Sequence, residues 1–125
     1  MKELIPKDNY GVFADTNDIA RADSIFVAKC FEKEHKNVLA DIRKILSPSS
    51  GLSEEFGRLN FQPTSYIDTW NRKQAAYAMT RDGFTLLVMG YTGEKAMRFK
   101  ELYIRRFNDM ERFIKTLVTA RKDFP

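Results

Sequence analysis

One cysteine, one histidine and one tryptophan are all that this 125-residue chain holds of those types. The lone Cys30 has no partner for an internal disulfide, which fits a reducing compartment. It lies among apolar residues, where cysteine behaves as a small buried hydrophobe. His35 and Cys30 are five residues apart, and such a pair falls short of the three or four ligands a zinc site uses. No metal and no cofactor are expected. No apolar stretch approaches the roughly 18–20 residues of a membrane span, and the segment Met1 to Asp8 has no signal-peptide core. Catalytic patterns are missing too. There is no glycine-rich phosphate loop. A Cys–His nucleophile would need Cys30 exposed and activated, and the acidic residues are scattered along polar faces without a distinguished pair. The expectation is a cytoplasmic protein that is not an enzyme.

What is present is ample apolar residue, 43% of the chain, with charged residues at 30%. That suits one globular domain of ordinary size. The net charge is +4, and it is unevenly spread. Residues 1–60 hold nine Lys/Arg against ten Asp/Glu, whereas residues 61–125 hold twelve against seven. A basic second half hints at a polyanionic partner, although such an excess is often only a solvated face.

Hydrophobic periodicity outlines the elements. Residues 1–22 read as an N-terminal strand region: Leu4-Ile5 and Tyr10 to Ala14 suggest short strands joined by a turn at Lys7-Asp8-Asn9, while Asp15 to Ala22 is polar without a clear period. Residues 23–46 read as a helix pair. Asp23 or Ser24 is the N-cap, Val27, Ala28 and Phe31 form the first apolar stripe, and a second helix from His35 carries Val38, Leu39, Ile42, Ile45 and Leu46. Ser47 to Gly51 ends that helix, and residues 47–60 read as a connector with one helical turn near Glu54 to Phe56. Residues 61–80 form a β-hairpin, with Trp70-Asn71 as a two-residue turn. In residues 81–120, Thr80 caps a helix that is apolar on nearly all sides, including Met89. Thr92 caps a long helix towards Thr119, with Ala96, Phe99, Tyr103, Phe107, Met110, Ile114 and Leu117 facing inward.

Two elements carry suitable chemistry for nucleic acid. Two helices with a tight joint fit a helix-turn-helix, whose second helix enters the major groove. Its outward residues Lys36, Asn37, Arg43 and Lys44 can contact bases or neutralise phosphate. The hairpin tip adds Arg72 and Lys73 beside Trp70, as a wing would. Each pattern also fits an ordinary solvated surface. His35, at the head of its helix, reads either as a locally packed residue or as a phosphate contact.

The same stretches resemble a known family. Lys33-Glu34-His35-Lys36-Asn37-Val38-Leu39-Ala40-Asp41-Ile42, preceded by a Ser-led helix with Val27-Ala28, is similar to the start of the phage regulatory protein Rha family. Ser65-Tyr66-Ile67-Asp68, Arg72-Lys73-Gln74 and Tyr77 resemble its hairpin. Thr80 to Gly93, with Lys95-Ala96, Phe99-Lys100, Tyr103-Ile104 and Phe107 to Glu111, is the most specific match. The likeness covers about residues 20–111. It implies a phage- or prophage-encoded regulator, regarded as DNA-binding, in a bacterial cytoplasm. Members often carry a further C-terminal domain, so this chain is expected to be a short or shortened one. It departs from the family at Trp70-Asn71, where a glycine-containing turn is usual, and at Glu32, near which a glycine is common.

The fold expected is α+β and winged-helix-like, one domain over residues 1–125 with a helix-turn-helix pair, a β-hairpin and a long C-terminal helix. The function expected is transcriptional regulation through double-stranded DNA. The alternative is a protein-interaction module acting as an antirepressor on another regulator. The stripe of the long helix fits either plain core packing or the seam of a homodimer, and no membrane is expected as a partner.

Overall fold

The computed structural model describes residues 2–122. Their architecture is α+β. Strands β1 (Glu3–Ile5), β2 (Val12–Asp15) and β3 (Ala20–Asp23) lead into helices α1 (Ser24–Cys30) and α2 (His35–Leu46). A 3-10 turn (Pro48–Ser50) and α3 (Glu54–Asn60) follow, then β4 (Phe61–Ile67), β5 (Lys73–Met79), α4 (Arg81–Val88) and α5 (Glu94–Lys122). The strands form one antiparallel sheet in the order β1-β2-β3-β5-β4. Helix pair, hairpin and long helix all form where the sequence pattern predicts them.

Alternation on the strands sets the core. Val12, Ala14, Ala20, Ala22, Phe61 and Met79 share one side of the sheet by register and join Val27, Val38, Ile42, Phe84, Tyr103 and Phe107 in one buried cluster. Phe31, Phe84 and Tyr103 fill its centre with ring centroids 4.8–6.2 Å apart, at aromatic-pair spacing. The Tyr103 hydroxyl donates to the Tyr10 carbonyl at 2.8 Å, tying α5 to the entry of β2. Gly11 is needed just there: its φ is +76°, and a Cβ would lie 2.4 Å from Cβ of Phe26.

Several expectations need correction. The span Asp15 to Ala22 holds the end of β2 and most of β3, which lies between β2 and β5. It is held by a buried ion pair, Arg21 Nε donating to Asp15 Oδ2 at 2.7 Å, and Arg21 also reaches the Ala78 carbonyl at 3.3 Å. Residues 47–60 are largely structured: Ser53 caps α3, accepting from the Phe56 amide at 3.3 Å. The hairpin turn is not two residues; Ile67 pairs with Lys73 and a loop over residues 68–72 joins them. Helix α4 buries only part of its surface, and Met89, just past its end, is exposed. Helix α5 runs on to Lys122, Leu117 is partly exposed, and the Thr92 side chain makes no capping hydrogen bond among the described residues. Cys30 is half-buried.

Candidate nucleic-acid interface

The interface is built from the joint between α1 and α2 outward. Asp23 caps α1, accepting from the Ile25 amide at 2.8 Å. At the other end the chain turns through Glu32, whose φ is +56°. The Glu32 amide donates to the Lys29 carbonyl at 3.2 Å and the Lys33 amide to Ala28 at 2.8 Å. These two bonds are those of a Schellman termination, which favours glycine at the left-handed position. A side chain sits there in this chain, as the family comparison at Glu32 foreshadows. Helix α2 restarts three residues later.

Ser24 then fixes α2. Its hydroxyl is buried, accepts from the Tyr77 amide at 2.9 Å, and meets His35 Nε2 at 2.9 Å. One hydroxyl thus joins the first turns of both helices to β5, beyond the point where β3 stops pairing. The His35 ring also meets Tyr66 of β4 edge-on, with centroids 5.8 Å apart and planes at 66°. Burial holds the His35 pKa below its ordinary value; Asp23 pulls the other way, and the Arg43 charge adds to the depression. His35 is therefore a packed, hydrogen-bonded residue with a positioning role, the plainer of its two expected roles.

Its contact with Tyr66 sets α2 beside the hairpin. Tyr66 faces Gln74 in register, one pair before Ile67 and Lys73. The first turn of α2 therefore lies near the outer end of the hairpin. At the other end of α2, Ile45 and Leu46 line a hollow together with Pro63 and Tyr77. Each end of α2 thus touches the β4–β5 hairpin. At about 100° per residue, Arg43 stands about 80° and Lys36 about 100° round from His35. Asn37 and Lys44 stand about 200° and 180° round, pointing outward. The opposite flank carries Asp41, which accepts from the Tyr91 hydroxyl at 3.0 Å. Lys36, Asn37, Arg43 and Lys44 are all exposed. Lys36 pairs with Glu34 at 3.2 Å, while Arg43 and Lys44 have no ion pair among the described residues. Glu34, the N-cap residue of α2, makes no side-chain cap bond, and the first turn has no acidic residue.

The hairpin loop is organised by Asp68, a residue the pattern reading passed over. Its carboxylate accepts from the Trp70 amide at 2.9 Å, the Arg72 amide at 2.8 Å, Arg72 Nε at 3.0 Å and Gln74 Nε2 at 3.0 Å. The Arg72 amide leads the bonds that hold this carboxyl below its ordinary pKa. Asn71 takes the left-handed conformation expected of it, with φ +58°. Arg72 and Lys73 both remain exposed. An aspartate that opens a short polar loop is the available signal, since its carboxylate can bond amides two and four residues on. Lys33 is a second residue passed over: its Nζ lies 4.3 Å from the centre of the Tyr91 ring, beside the α1–α2 joint.

An α+β scaffold with exposed cations on α2 and at the hairpin loop defines a small protein whose prominent feature is a surface. No helix among the described residues is long and apolar enough to cross a membrane, and no cluster of three or more metal-binding side chains occurs among them. The chain belongs to the phage regulatory protein Rha family, whose description matches residues 22–112. That is a regulatory family, not an enzyme family. A protein of Haemophilus influenzae (strain Rd) is 43% identical over 105 residues, covering 82% of this chain and 60% of that protein. A 22.8 kDa protein of Salmonella phage P22, from the gp15–gp3 intergenic region, is 37% identical over 91 residues, covering 70% of this chain and 43% of that protein. The chain thus spans between about two-fifths and three-fifths of these two relatives' length. No solved structure gives a significant match.

Proposed function

We propose that this chain regulates phage transcription by binding double-stranded DNA through the flank formed by α2 and the β4–β5 hairpin. The observation that carries the proposal is the edge-on contact of His35 with Tyr66, which links the head of α2 to the strand that leads into the hairpin loop. The chain order adds support. Strand β3 leads into α1 and α2, the 3-10 turn and α3 follow, then the hairpin, and β5 returns to lie between β3 and β4. In a helix-turn-helix the second helix lies in the major groove, and the hairpin would serve beside it as a wing. Asn37 would then pair with adenine, Arg43 and Lys44 with guanine or phosphate, and Lys36 with phosphate at the head of the helix. Arg72 keeps two guanidinium nitrogens for phosphate while Asp68 holds its Nε, and Lys73 stands beside it.

The proposal needs no dimer. The exposed apolar residues of α5 do not make one seam: Met97 and Ile104 lie within about 20° of each other, and Phe113 about 160–180° away around the helix axis. A homodimer through this helix would use one of those flanks, and the mass in solution tests it. The antirepressor reading has one observation in its favour. Phe113 is exposed at the rim of a groove of about 440 Å³ between α5 and the Ile5–Asp8 segment, where a partner protein could seat.

The test is selection of bound fragments from phage and host genomes, checked by electrophoretic shift at low salt. Enrichment of discrete fragments supports direct binding. Absence of any shift, with capture of another phage or host regulator, supports the antirepressor.

A further inference from the structure

Trp70 is the most exposed of the large hydrophobic residues, at 79%, and Ile67 on the same loop end is 62% exposed. An indole left in water forgoes a large burial gain, since aromatic side chains dominate the energetics wherever they are covered. Its position is nevertheless held. The Trp70 amide bonds to Asp68, the same carboxylate holds Arg72 on the far side of the turn, and Asn71 adopts a left-handed conformation between them. A merely solvated turn needs neither a four-bond carboxylate nor an indole at its tip. The loop therefore presents a flat apolar group on a stiff support, with cations two and three residues further on. The one acidic side chain of the loop is already occupied by its own donors.

This combination suits one partner well. Duplex DNA offers phosphates for Arg72 and Lys73 and stacked bases for an apolar wedge, and minor-groove binders insert such wedges between base steps. Resting on the DNA-binding function proposed above, we infer that Trp70 is a wedge that the hairpin loop inserts into the minor groove, unstacking one base step. Ile67 follows it to the groove edge. The wedge makes Trp70 a specificity determinant that reads deformability, favouring pyrimidine–purine steps, which open most easily.

The single tryptophan makes its own probe. The protein is titrated with a duplex of about 30 base pairs carrying the most enriched genomic sequence, and the indole emission is followed beside the electrophoretic shift. Insertion predicts quenching of the emission at saturation. It also predicts that Trp70→Ala weakens binding about tenfold, in line with the loss of one base–aromatic stack, and that Trp70→Phe recovers part of that loss. The salt dependence of Trp70→Ala stays that of the parent, because no charge is removed. End-labelled duplex should shorten its end-to-end distance with the parent and not with Trp70→Ala. Thermal melts of both variants show that the fold is retained. Unchanged emission at saturation, or unchanged affinity and bending in Trp70→Ala, overturns the wedge while leaving DNA binding standing. Failure of the parent protein to shift any duplex at low salt sinks the DNA-binding function itself, and the wedge with it.

Discussion

Replacing Ser24 by alanine removes one oxygen from a site with no exposed surface, and strands two groups at once. The Tyr77 amide loses its acceptor, and His35 Nε2 loses the hydroxyl 2.9 Å away. A buried polar group without a partner costs about 1–3 kcal/mol. The amide is the more enclosed, while His35 can turn partly towards water. A total loss of about 2–3 kcal/mol is therefore expected. For a chain of this length, each kcal/mol corresponds to about 4 °C in Tm, so thermal unfolding followed by circular dichroism should fall by about 8–12 °C. His35→Leu should cost less in the Ser24→Ala background than in the parent, by about 1 kcal/mol, since both act on the same bond. The pH dependence has a definite sign. The folded pKa of His35 lies below its unfolded value of 6.5. The unfolded chain thus takes up the proton first, and the stability that neutral His35 contributes is lost as pH falls below about 6.5 towards the folded pKa. A loss under about 0.5 kcal/mol for Ser24→Ala, or strict additivity with His35→Leu, would refute the role given to this hydroxyl.

Glu32→Gly should raise stability by about 1 kcal/mol, because glycine takes the left-handed conformation at +56° without a Cβ penalty; the ion pair with Lys95 that it gives up is exposed and contributes little. Denaturant midpoints read this directly. Asp15 supplies an acid-sensitive element. Burial alone would raise its pKa, but hydrogen bonds from Arg21 and the Ile19 and Asn17 amides outweigh it and hold it below 3.8. The stability it adds is therefore present above the unfolded value and fades as pH falls through 3.8 towards the folded pKa. Asp15→Asn should lower stability at pH 7 and flatten the acid limb of the unfolding profile.

Legibility in the sequence followed the strength of local pattern. Helix α2 was predictable from Val38, Leu39, Ile42, Ile45 and Leu46, and α4 from its Thr80 cap, which accepts from the Gly83 amide at 3.2 Å. Strand β3 was not. Its inward residues are only Ala20 and Ala22, and its outward Arg21 is tolerable because Asp15 waits on the neighbouring strand. That pairing is invisible along the chain. Of helix α3 only one turn near Glu54 to Phe56 was legible, because Phe56 and Leu59 are both exposed and mark no buried face. The cations of the candidate interface were legible one by one. Their arrangement was not, since it depends on Ser24, His35 and Tyr66, residues with no charge at neutral pH.

The central claim is that cations on α2 and on the hairpin act together on one DNA backbone. The most direct measurement is the slope of log affinity against log salt for the parent and for the combined Arg43→Ala, Lys44→Ala, Arg72→Ala and Lys73→Ala variant, using the same duplex. Each lost phosphate contact reduces the slope by about 0.9, so a reduction of about 3–4 is predicted, with folding intact. A parent slope near zero, or a variant with the parent's slope and affinity, would contradict it.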